Sequence, residues 1–310
     1  MTATSAYIFA GMAAIAFSDR LVAAVDQRES QLVLGLDPDP LSLWDVAASA
    51  GEGGGTPAEQ TARAVLAHCR ALIDAAGPAC VAAKPQLACF ERLGAAGAAA
   101  LAGVVAAAHE AGLLVIADGK RGDVPVTAAA YAQALAGSTD TPAGSVAGLG
   151  ADAFTANPLL GIDALEPLIA TGAGVFVLVR TSNPGAADVQ DLELAAGGLL
   201  WEQLARTVDR LGVVRASGFA DVGAVFGATA PAHLERAREL MPHAIFLLPG
   251  VGAQGGRVED LAPAFAPGRA GGLVSASRSI VAAHAGNGRG PVAAARAEAE
   301  RLRALAWALT

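Results

Sequence analysis

Residues 113–123 run from an apolar stretch directly into four charged side chains, those of Asp118, Lys120, Arg121 and Asp123. A strand pattern that ends in alternating carboxylates and ammonium groups either closes ion pairs or builds a site. The flanking carboxylates would keep Lys120 in its charged form, and Lys84 could extend the same array. A fixed ammonium that faces a developing carbanion can stabilise the carbanion and then protonate it. The stretch therefore predicts proton-transfer chemistry, with an ordinary ion pair between Lys120 and Asp118 as the alternative.

Polar residues recur where the short apolar runs of the sequence end. These ends carry Asp37, Lys84, Asp118, Lys120, Asn157 and the segments 180–183, 249–250 and 275–278. Each of them alone could be a helix cap or part of a surface ion pair, but their joint occurrence indicates one shared site. In a barrel of parallel strands, the carboxyl ends meet on the face that carries the active site.

Eight apolar runs alternate with Ala-rich helical patterns along the chain. The predicted strands are 31–37, 79–84, 113–118, 151–156, 174–180, 221–227, 244–250 and 271–277. The predicted helices are 59–76, 91–111, 124–137, 161–171, 197–212, 231–240, 255–266, one after Arg278, and 291–308. This pattern predicts an α/β fold, a single-domain (β/α)8 TIM barrel, with an open doubly wound sheet as the alternative. Residues 1–17 are expected to form an N-terminal extension of uncertain order, and residues 18–310 the catalytic barrel.

The composition indicates a globular protein with a large core. Hydrophobic residues make up 54% of the 310 residues and charged residues 16%, and the formal net charge is −8. This acidic balance argues against nucleic-acid binding, and the apolar residues 6–17 are too few to span a bilayer. Three cysteines without a CxxC pair are typical of a reducing cytoplasm, and the five histidines show no metal-binding spacing.

A glycine-rich segment follows the seventh predicted strand and contains Gly250, Gly252 and Gly255. Its GxGxxG spacing also matches a dinucleotide fingerprint, but that fingerprint needs an acidic residue about 20 positions later, where this chain has GGLVSAS. Phosphate sites of barrels use the loops after strands seven and eight. The segment therefore predicts a monophosphate loop, to which Arg278 would add a bidentate contact.

The motif Asp118-x-Lys120-x-x-Asp123, followed by Thr127, resembles the signature of the orotidine 5′-phosphate decarboxylase family. The surrounding DGKRGDVPVTAAAYA is similar to the longer bacterial branch of that family, type 2. Further similar segments, in the same order, are VLGLDPDP, KPQLACFE, NPLLGIDALEP, VLVRTSNPGA, LLPGVGAQGG and SASRSI. The resemblance covers residues 17–285 and extends the local chemistry to a specific reaction.

That reaction is a decarboxylation of orotidine 5′-monophosphate to UMP and carbon dioxide, which the resemblance implies to need no metal and no cofactor. Lys120 would protonate C6 of the pyrimidine after carbon dioxide leaves. Asp118 would face the departing carboxylate, and Lys84 would complete the charge array and contact the ribose.

The resemblance also implies a homodimer, in which Asp123 and Thr127 reach the active site of the neighbouring subunit. The expected substrate-binding residues are Asp37 at the ribose, Thr181, Ser182 or Asn183 at the base, Gln254 and Arg278 at the 5′-phosphate, and Asn157. The sequence departs from the family pattern at Gly119, where Ala is common. It also has VPV between Asp123 and Thr127, where a smaller and more polar run is usual.

Two other functions stay open at this point. A magnesium-dependent sugar-phosphate decarboxylase or aldolase of the same superfamily shares the DxKxxD motif and would lose activity in the presence of a chelator. A barrel that binds a nucleotide without turning it over is the other, although such a protein has no use for a proton donor between carboxylates.

Overall fold

The computed structural model of the chain describes residues 15–252, 254–285 and 288–310, and the strands in these residues form a closed barrel and a hairpin. The strands are β1 Leu32–Leu36, β2 Ala82–Pro85, β3 Leu114–Arg121, β4 Ser138–Thr141, β5 Gly144–Ala147, β6 Ala153–Ala156, β7 Gly174–Arg180, β8 Val222–Phe226, β9 Phe246–Pro249 and β10 Gly272–Ala276. Eight of them close in the order β1-β10-β9-β8-β7-β6-β3-β2, and every pair is parallel. The predicted TIM barrel is confirmed, and the open sheet is wrong.

Helices cover the outside of the barrel. The α-helices are α1 Phe17–Arg28, α2 Asp45–Ala48, α3 Pro57–Ala76, α4 Leu87–Glu91, α5 Gly94–Glu110, α6 Pro125–Ala136, α7 Ile162–Ile169, α8 Ala187–Gln190, α9 Leu200–Leu211, α10 Leu234–Leu240, α11 Arg278–Val281 and α12 Pro291–Trp307. The predicted helix at 255–266 is instead a 3-10 helix, Val258–Phe265, with Pro263 inside it. Proline lacks the N–H that an α-helix needs at this position. Of the described helices, none is both long enough and apolar enough to cross a membrane.

The sequence analysis did not predict the antiparallel hairpin of β4 and β5, helix α1, or the short helices α2, α4 and α8. Both hairpin strands are exposed along their full length. Helix α1 begins at Phe17, the last residue of the expected N-terminal extension, and residues 1–14 of that extension lie outside the described residues.

Helix α1 closes the floor of the barrel. Its residues Phe17, Leu21 and Val25 are buried in one cluster with the first inward-facing side chains of the strands. The ring of Phe17 meets Phe176 of β7 edge-on, with centroids 6.0 Å apart. The backbone N–H of Ser18 donates to the carboxylate of Asp221 at 2.8 Å, which fixes the start of the helix.

The side chains that point into the barrel change from apolar at the floor to polar at the carboxyl ends of the strands. The floor cluster contains Val33, Ala82, Ile116, Ala153 and Leu273. Two or four positions further along the same strands, the cavity above the floor is lined by Asp37, Lys84, Asp118, Thr155 and Ser275. Because strand residues alternate between faces, the same strands supply the core and the site.

We expect Phe17→Ala to lower the free energy of unfolding by about 3–5 kcal/mol, because the variant leaves a cavity between α1 and the strands. Urea titration of the variant and the wild type measures this difference. Leu41→Ala is the control, since the Leu41 side chain is 93% exposed and its removal should change stability by less than about 0.5 kcal/mol. Equal stability of Phe17→Ala and wild type would contradict the packing of α1 on the floor.

Candidate active site

The carboxylate of Asp118 lies at the centre of the site and accepts hydrogen bonds from four side chains. Lys84 Nζ donates to Oδ2 and Lys120 Nζ to Oδ1, both at 2.6 Å. Thr155 Oγ1 donates to the same Oδ1 at 2.9 Å, and Gln86 Nε2 lies 3.5 Å from Oδ2. Asp118 and Lys84 are buried, whereas the Lys120 side chain is 41% exposed and lines the cavity. Three strand ends thus contribute to one network.

The two lysines keep the buried carboxylate ionised. Burial opposes the charge on Asp118, but Lys84 and Lys120 outweigh it and hold the pKa of the Asp118 carboxyl well below its usual range. Burial also opposes the charge on Lys84, and Asp118 together with Asp37 outweighs it and raises the pKa of the Lys84 ammonium. Asp118 and Lys84 are therefore both charged at neutral pH.

A divalent cation is poorly suited to this carboxylate, because it would meet two ammonium groups at the Asp118 oxygens. Elsewhere in the described residues, no three His, Cys, Asp or Glu side chains lie close enough together to hold a metal ion.

Lys120 lies in a bulge of β3. Ala117 pairs with Phe154 of β6 and Arg121 with Ala156, so three residues of β3 stand opposite Thr155 alone. Lys120 has a φ of 48°, a left-handed conformation that is uncommon for a residue with a side chain and costs on the order of 1 kcal/mol. Strained backbone of this kind clusters at active sites.

A cavity of about 590 Å³ opens above this network at the carboxyl ends of the strands. Most of the residues predicted for the site line it: Asp37, Lys84, Asp118, Lys120, Asn157, Thr181, Ser182, Asn183, Gly250, Gln254 and Arg278. Four do not, namely Asp123, Thr127, Gly252 and Gly255. The opposite wall is apolar and includes Leu178, Val225 and Leu247. The arrangement can hold a partly apolar ring against an array of fixed charges.

Asp123 and Thr127 lie outside the cavity of their own chain, at the start of α6. Asp123 Oδ1 accepts from the backbone N–H of Val124 at 2.8 Å, and Thr127 Oγ1 donates to the carbonyl of Val124 at 3.1 Å. Around them, Val124 is 55% exposed and Val126 is 83% exposed.

The segment after β7 folds back on the strand end. Arg180 Nε and Nη2 donate to the two carboxylate oxygens of Asp191 at 2.8 and 2.9 Å. Gln190 Oε1 accepts from the backbone N–H of Thr181 at 2.8 Å. These bonds hold Thr181, and the two residues that follow it, at the wall of the cavity.

The glycine-rich loop after β9 turns through left-handed conformations, with φ values of 101° at Gly250, 75° at Gly252 and 91° at Gly255. Glycine adopts these at little cost. The N–H groups of Gly252 and Gly255 donate to carbonyls of the loop itself at 2.9 and 2.8 Å. These two glycines therefore allow the loop to turn. Because their N–H groups are already bonded within the loop, side chains would have to bind an anion here. Arg278 is exposed, and none of the described ion pairs includes it.

A second cavity of about 630 Å³ adjoins the first and shares Ser182, Asn183, Gln254 and Arg278 with it. The side chains of Gln254 and Arg278 therefore stand between the two cavities, where they can reach a group that is bound at the rim.

Sequence reasoning missed Thr155 and Gln86, although both contact Asp118. The alternation of strand residues was the available signal for Thr155, since it lies two positions before Asn157. A further signal was the lysine count: the sequence holds two lysines, Lys84 and Lys120, against 29 acidic residues, and both lysines bind Asp118.

Gly119 packs against the side chains of Leu87 and Arg121. A Cβ on Gly119 would lie 2.6 Å from Cδ1 of Leu87 and 3.1 Å from Nε of Arg121. Leu87 of α4 is buried, so its side chain fills the space that an alanine methyl would take.

Comparison with known proteins places the chain among decarboxylases. The sequence profile of the family described as "Orotidine 5′-phosphate decarboxylase / HUMPS family" matches residues 30–297. A Rhodopirellula baltica protein named orotidine 5′-phosphate decarboxylase is 41% identical over 278 residues, which cover 86% of this chain and 89% of the relative. A Deinococcus radiodurans protein of the same name is 43% identical over 260 residues, 82% of this chain and 84% of the relative. The structure of Leishmania donovani OMP decarboxylase superimposes with a TM-score of 0.69 and 33% identity, covering 94% of this chain and 99% of that one.

We expect Asp118→Asn to lower the free energy of unfolding at neutral pH by about 3–5 kcal/mol, because it leaves the buried Lys84 ammonium without its carboxylate. The folded-state pKa of Asp118 is depressed, so its contribution is present above the usual value of 3.8 and is lost as the pH falls below that value. Urea titrations at several pH values should therefore show a constant difference from wild type above pH 3.8 and a narrowing one below it.

The matched control is Asp209→Asn, since Asp209 is exposed on α9. Its stability should follow that of the wild type at every pH. An Asp118→Asn variant as stable as wild type at neutral pH would contradict the role of this carboxylate as the partner of Lys84.

Proposed function

We propose a charge-based mechanism for this chain. The chain belongs to the orotidine 5′-phosphate decarboxylase / HUMPS family. It is an orotidine 5′-phosphate decarboxylase, a carboxy-lyase of UMP biosynthesis. Orotidine 5′-monophosphate loses its C6 carboxylate as carbon dioxide and becomes UMP. The observation that carries the mechanism is the position of Lys120, whose ammonium lines the cavity while its charge is anchored 2.6 Å from the ionised Asp118.

Lys120 is the proton donor. Decarboxylation breaks the bond between C6 and the carboxylate carbon, and the electron pair of that bond stays on C6. The Lys120 ammonium stabilises this pair and then transfers a proton to C6, and the resulting amine regains a proton from water. Lysine suits the step because an arginine guanidinium does not release its proton at neutral pH. Charge that is oriented before the reaction is typically the largest single contribution to such catalysis.

Asp118 has two roles in this mechanism. It orients both ammonium groups, and its negative charge faces the carboxylate of the bound substrate. Loss of carbon dioxide relieves that repulsion, so Asp118 favours the transition state over the bound substrate. Lys84, held at 2.6 Å from Asp118, completes the array and contacts the ribose together with Asp37.

Binding groups surround this centre. Ser182, with its neighbours Thr181 and Asn183, binds the base, and Asn157 lines the same cavity. Gln254 and Arg278 bind the 5′-phosphate between the two cavities. Binding energy from the phosphate, which takes no part in the bond changes, can be used to hold the reacting carboxylate against Asp118.

The enzyme acts as a homodimer in this proposal, with Asp123 and Thr127 contributed to the site of the neighbouring subunit. Two observations support this arrangement. Both residues lie outside the cavity of their own chain, and the adjacent Val124 and Val126 are exposed apolar side chains that a partner would cover.

We further assign the chain to the longer bacterial branch, type 2, on the segments quoted above. We propose that it works in the cytoplasm without a metal or cofactor, and that residues 18–310 form the catalytic domain behind an N-terminal extension. Chelator-resistant activity would separate it from the magnesium-dependent relatives.

We expect Lys120→Ala to lower kcat for orotidine 5′-monophosphate by about 10³-fold or more, because it removes the proton donor. Loss of substrate absorbance, followed with EDTA present, measures the rate, and circular dichroism verifies the fold. Wild-type activity that EDTA abolishes would favour the magnesium-dependent alternative. A Lys120→Ala variant that kept about a tenth of kcat would contradict its role as the donor.

Mixed dimers test the shared site. Lys120→Ala and Asp123→Ala should each be inactive as homodimers. After dissociation and mixing, heterodimers should regain about half the wild-type activity, because one site carries both substitutions and the other carries neither. Native mass spectrometry counts the heterodimers. Heterodimers without activity would place Asp123 in the site of its own chain.

A further inference from the structure

Thr155 lies on β6 opposite the bulge of β3. Its hydroxyl takes the place of a backbone carbonyl as the acceptor of a hydrogen bond between the two strands. The backbone N–H of Lys120 donates to Thr155 Oγ1 at 2.8 Å, and this hydroxyl donates to Asp118 Oδ1 at 2.9 Å. A hydroxyl has one proton to donate, so this contact uses its full donor capacity. The side chain is 1% exposed.

These contacts close a ring of hydrogen bonds. The ring runs from the Lys120 amide to Thr155 Oγ1, from Thr155 to Asp118 Oδ1, and from Asp118 back to Lys120 Nζ at 2.6 Å. It therefore holds Lys120 at both ends, by its main chain and by its ammonium. The side chain between those ends has four rotatable bonds, which would otherwise let the ammonium move away from one position.

The backbone of Lys120 depends on the same hydroxyl. With a φ of 48°, Lys120 adopts a conformation that persists only where its surroundings hold it. Among the described residues of β6, Thr155 supplies the hydrogen-bond acceptor for the Lys120 amide, through its Oγ1 atom. Loss of that acceptor would leave an amide without its partner and let the bulge relax.

We infer that Thr155 is a positioning residue, which sets the place of the Lys120 ammonium through the main chain of Lys120 and through Asp118. The inference rests on the proposed role of Lys120 as proton donor. Thr155 takes no part in the bond changes. It contributes by setting the distance between Lys120 Nζ and C6 of the substrate pyrimidine. A displacement of about 1 Å in an active site can cost 100-fold in rate.

Thr155→Val tests this inference, because it keeps the shape of the side chain and removes the hydroxyl. We expect kcat to fall about 100-fold, with KM and the Kd of UMP nearly unchanged. Thr155→Ser keeps the hydroxyl and should restore most of the lost kcat. If Thr155→Val does not fold, Thr155→Ala takes its place in the same comparison with Thr155→Ser.

Thr171→Val is the matched control. The Thr171 hydroxyl also donates to one group, the carbonyl of Leu168, and accepts from another, the N–H of Ala173, but it lies in the turn after α7. This variant loses an equivalent pair of hydrogen bonds and should keep the wild-type kcat.

The two lysines allow a readout that does not depend on activity. Protein labelled with ¹⁵N-lysine should give two backbone amide signals, from Lys84 and Lys120, and Lys120→Ala identifies the second. We expect Thr155→Val to shift the Lys120 signal and speed its exchange with solvent, and Thr155→Ser to leave it close to wild type.

Three results would overturn the inference while the proposed function stands. These are a Thr155→Val enzyme with wild-type kcat, a loss of UMP affinity as large as the loss of kcat, or an unmoved Lys120 amide signal. A wild-type protein that does not decarboxylate orotidine 5′-monophosphate would instead overturn the proposed function, and the amide signal would still test the contact to Thr155.

Discussion

The ionised carboxylate of Asp118, buried between two ammonium groups, is the interaction on which the rest of the site depends. An unpaired buried carboxylate would cost several kcal/mol, and Lys84 and Lys120 offset this cost only while both stay in place. The two lysines differ in exposure. Lys84 is buried beneath the carboxylate and anchors it, whereas Lys120 is part-exposed and lines the cavity. The buried Lys84 therefore fixes the carboxylate of Asp118, and this carboxylate in turn holds the Lys120 ammonium where a substrate can contact it.

The barrel provides the rigidity that this array needs. Parallel strands bring residues from three places in the chain to one rim, and the apolar floor beneath them is closed by α1. Away from the site, the buried guanidinium of Arg238 reinforces the lower half of the barrel. It donates to the carbonyls of Met241, Ala244, Ala264 and Gly271 and lies 3.8 Å from the centroid of the Phe246 ring. The packed floor lies at the opposite ends of the strands from Lys120, whose backbone has the left-handed conformation.

Three segments at the rim of the barrel differ in how they are held and in what they present to the cavity. The segment after β7 is fixed by the Arg180–Asp191 pair and presents Thr181 to the cavity, where the proposed mechanism places the base. The loop after β9 instead satisfies the amides of Gly252 and Gly255 internally. The proposed mechanism therefore assigns the phosphate to the side chains of Gln254 and Arg278. At the start of α6 the exposed side chains do not line the cavity of their own chain, which is why a second subunit enters the proposal.

The sequence by itself determined the eight strands, their alternation with helices, and the charged strand ends that identify the site. These features are encoded locally, in the two-residue period of a strand and in the motif from Asp118 to Asp123. The period does not reveal closure of the barrel, and the apolar character of residues 6–17 concealed that Phe17 begins a helix of the floor. Only the tertiary structure decided that Thr155 joins Lys120 to Asp118. The reason is physical: this contact crosses between strands that are 35 residues apart in the chain, and a hydrogen bond across a bulge leaves no periodic trace in the sequence.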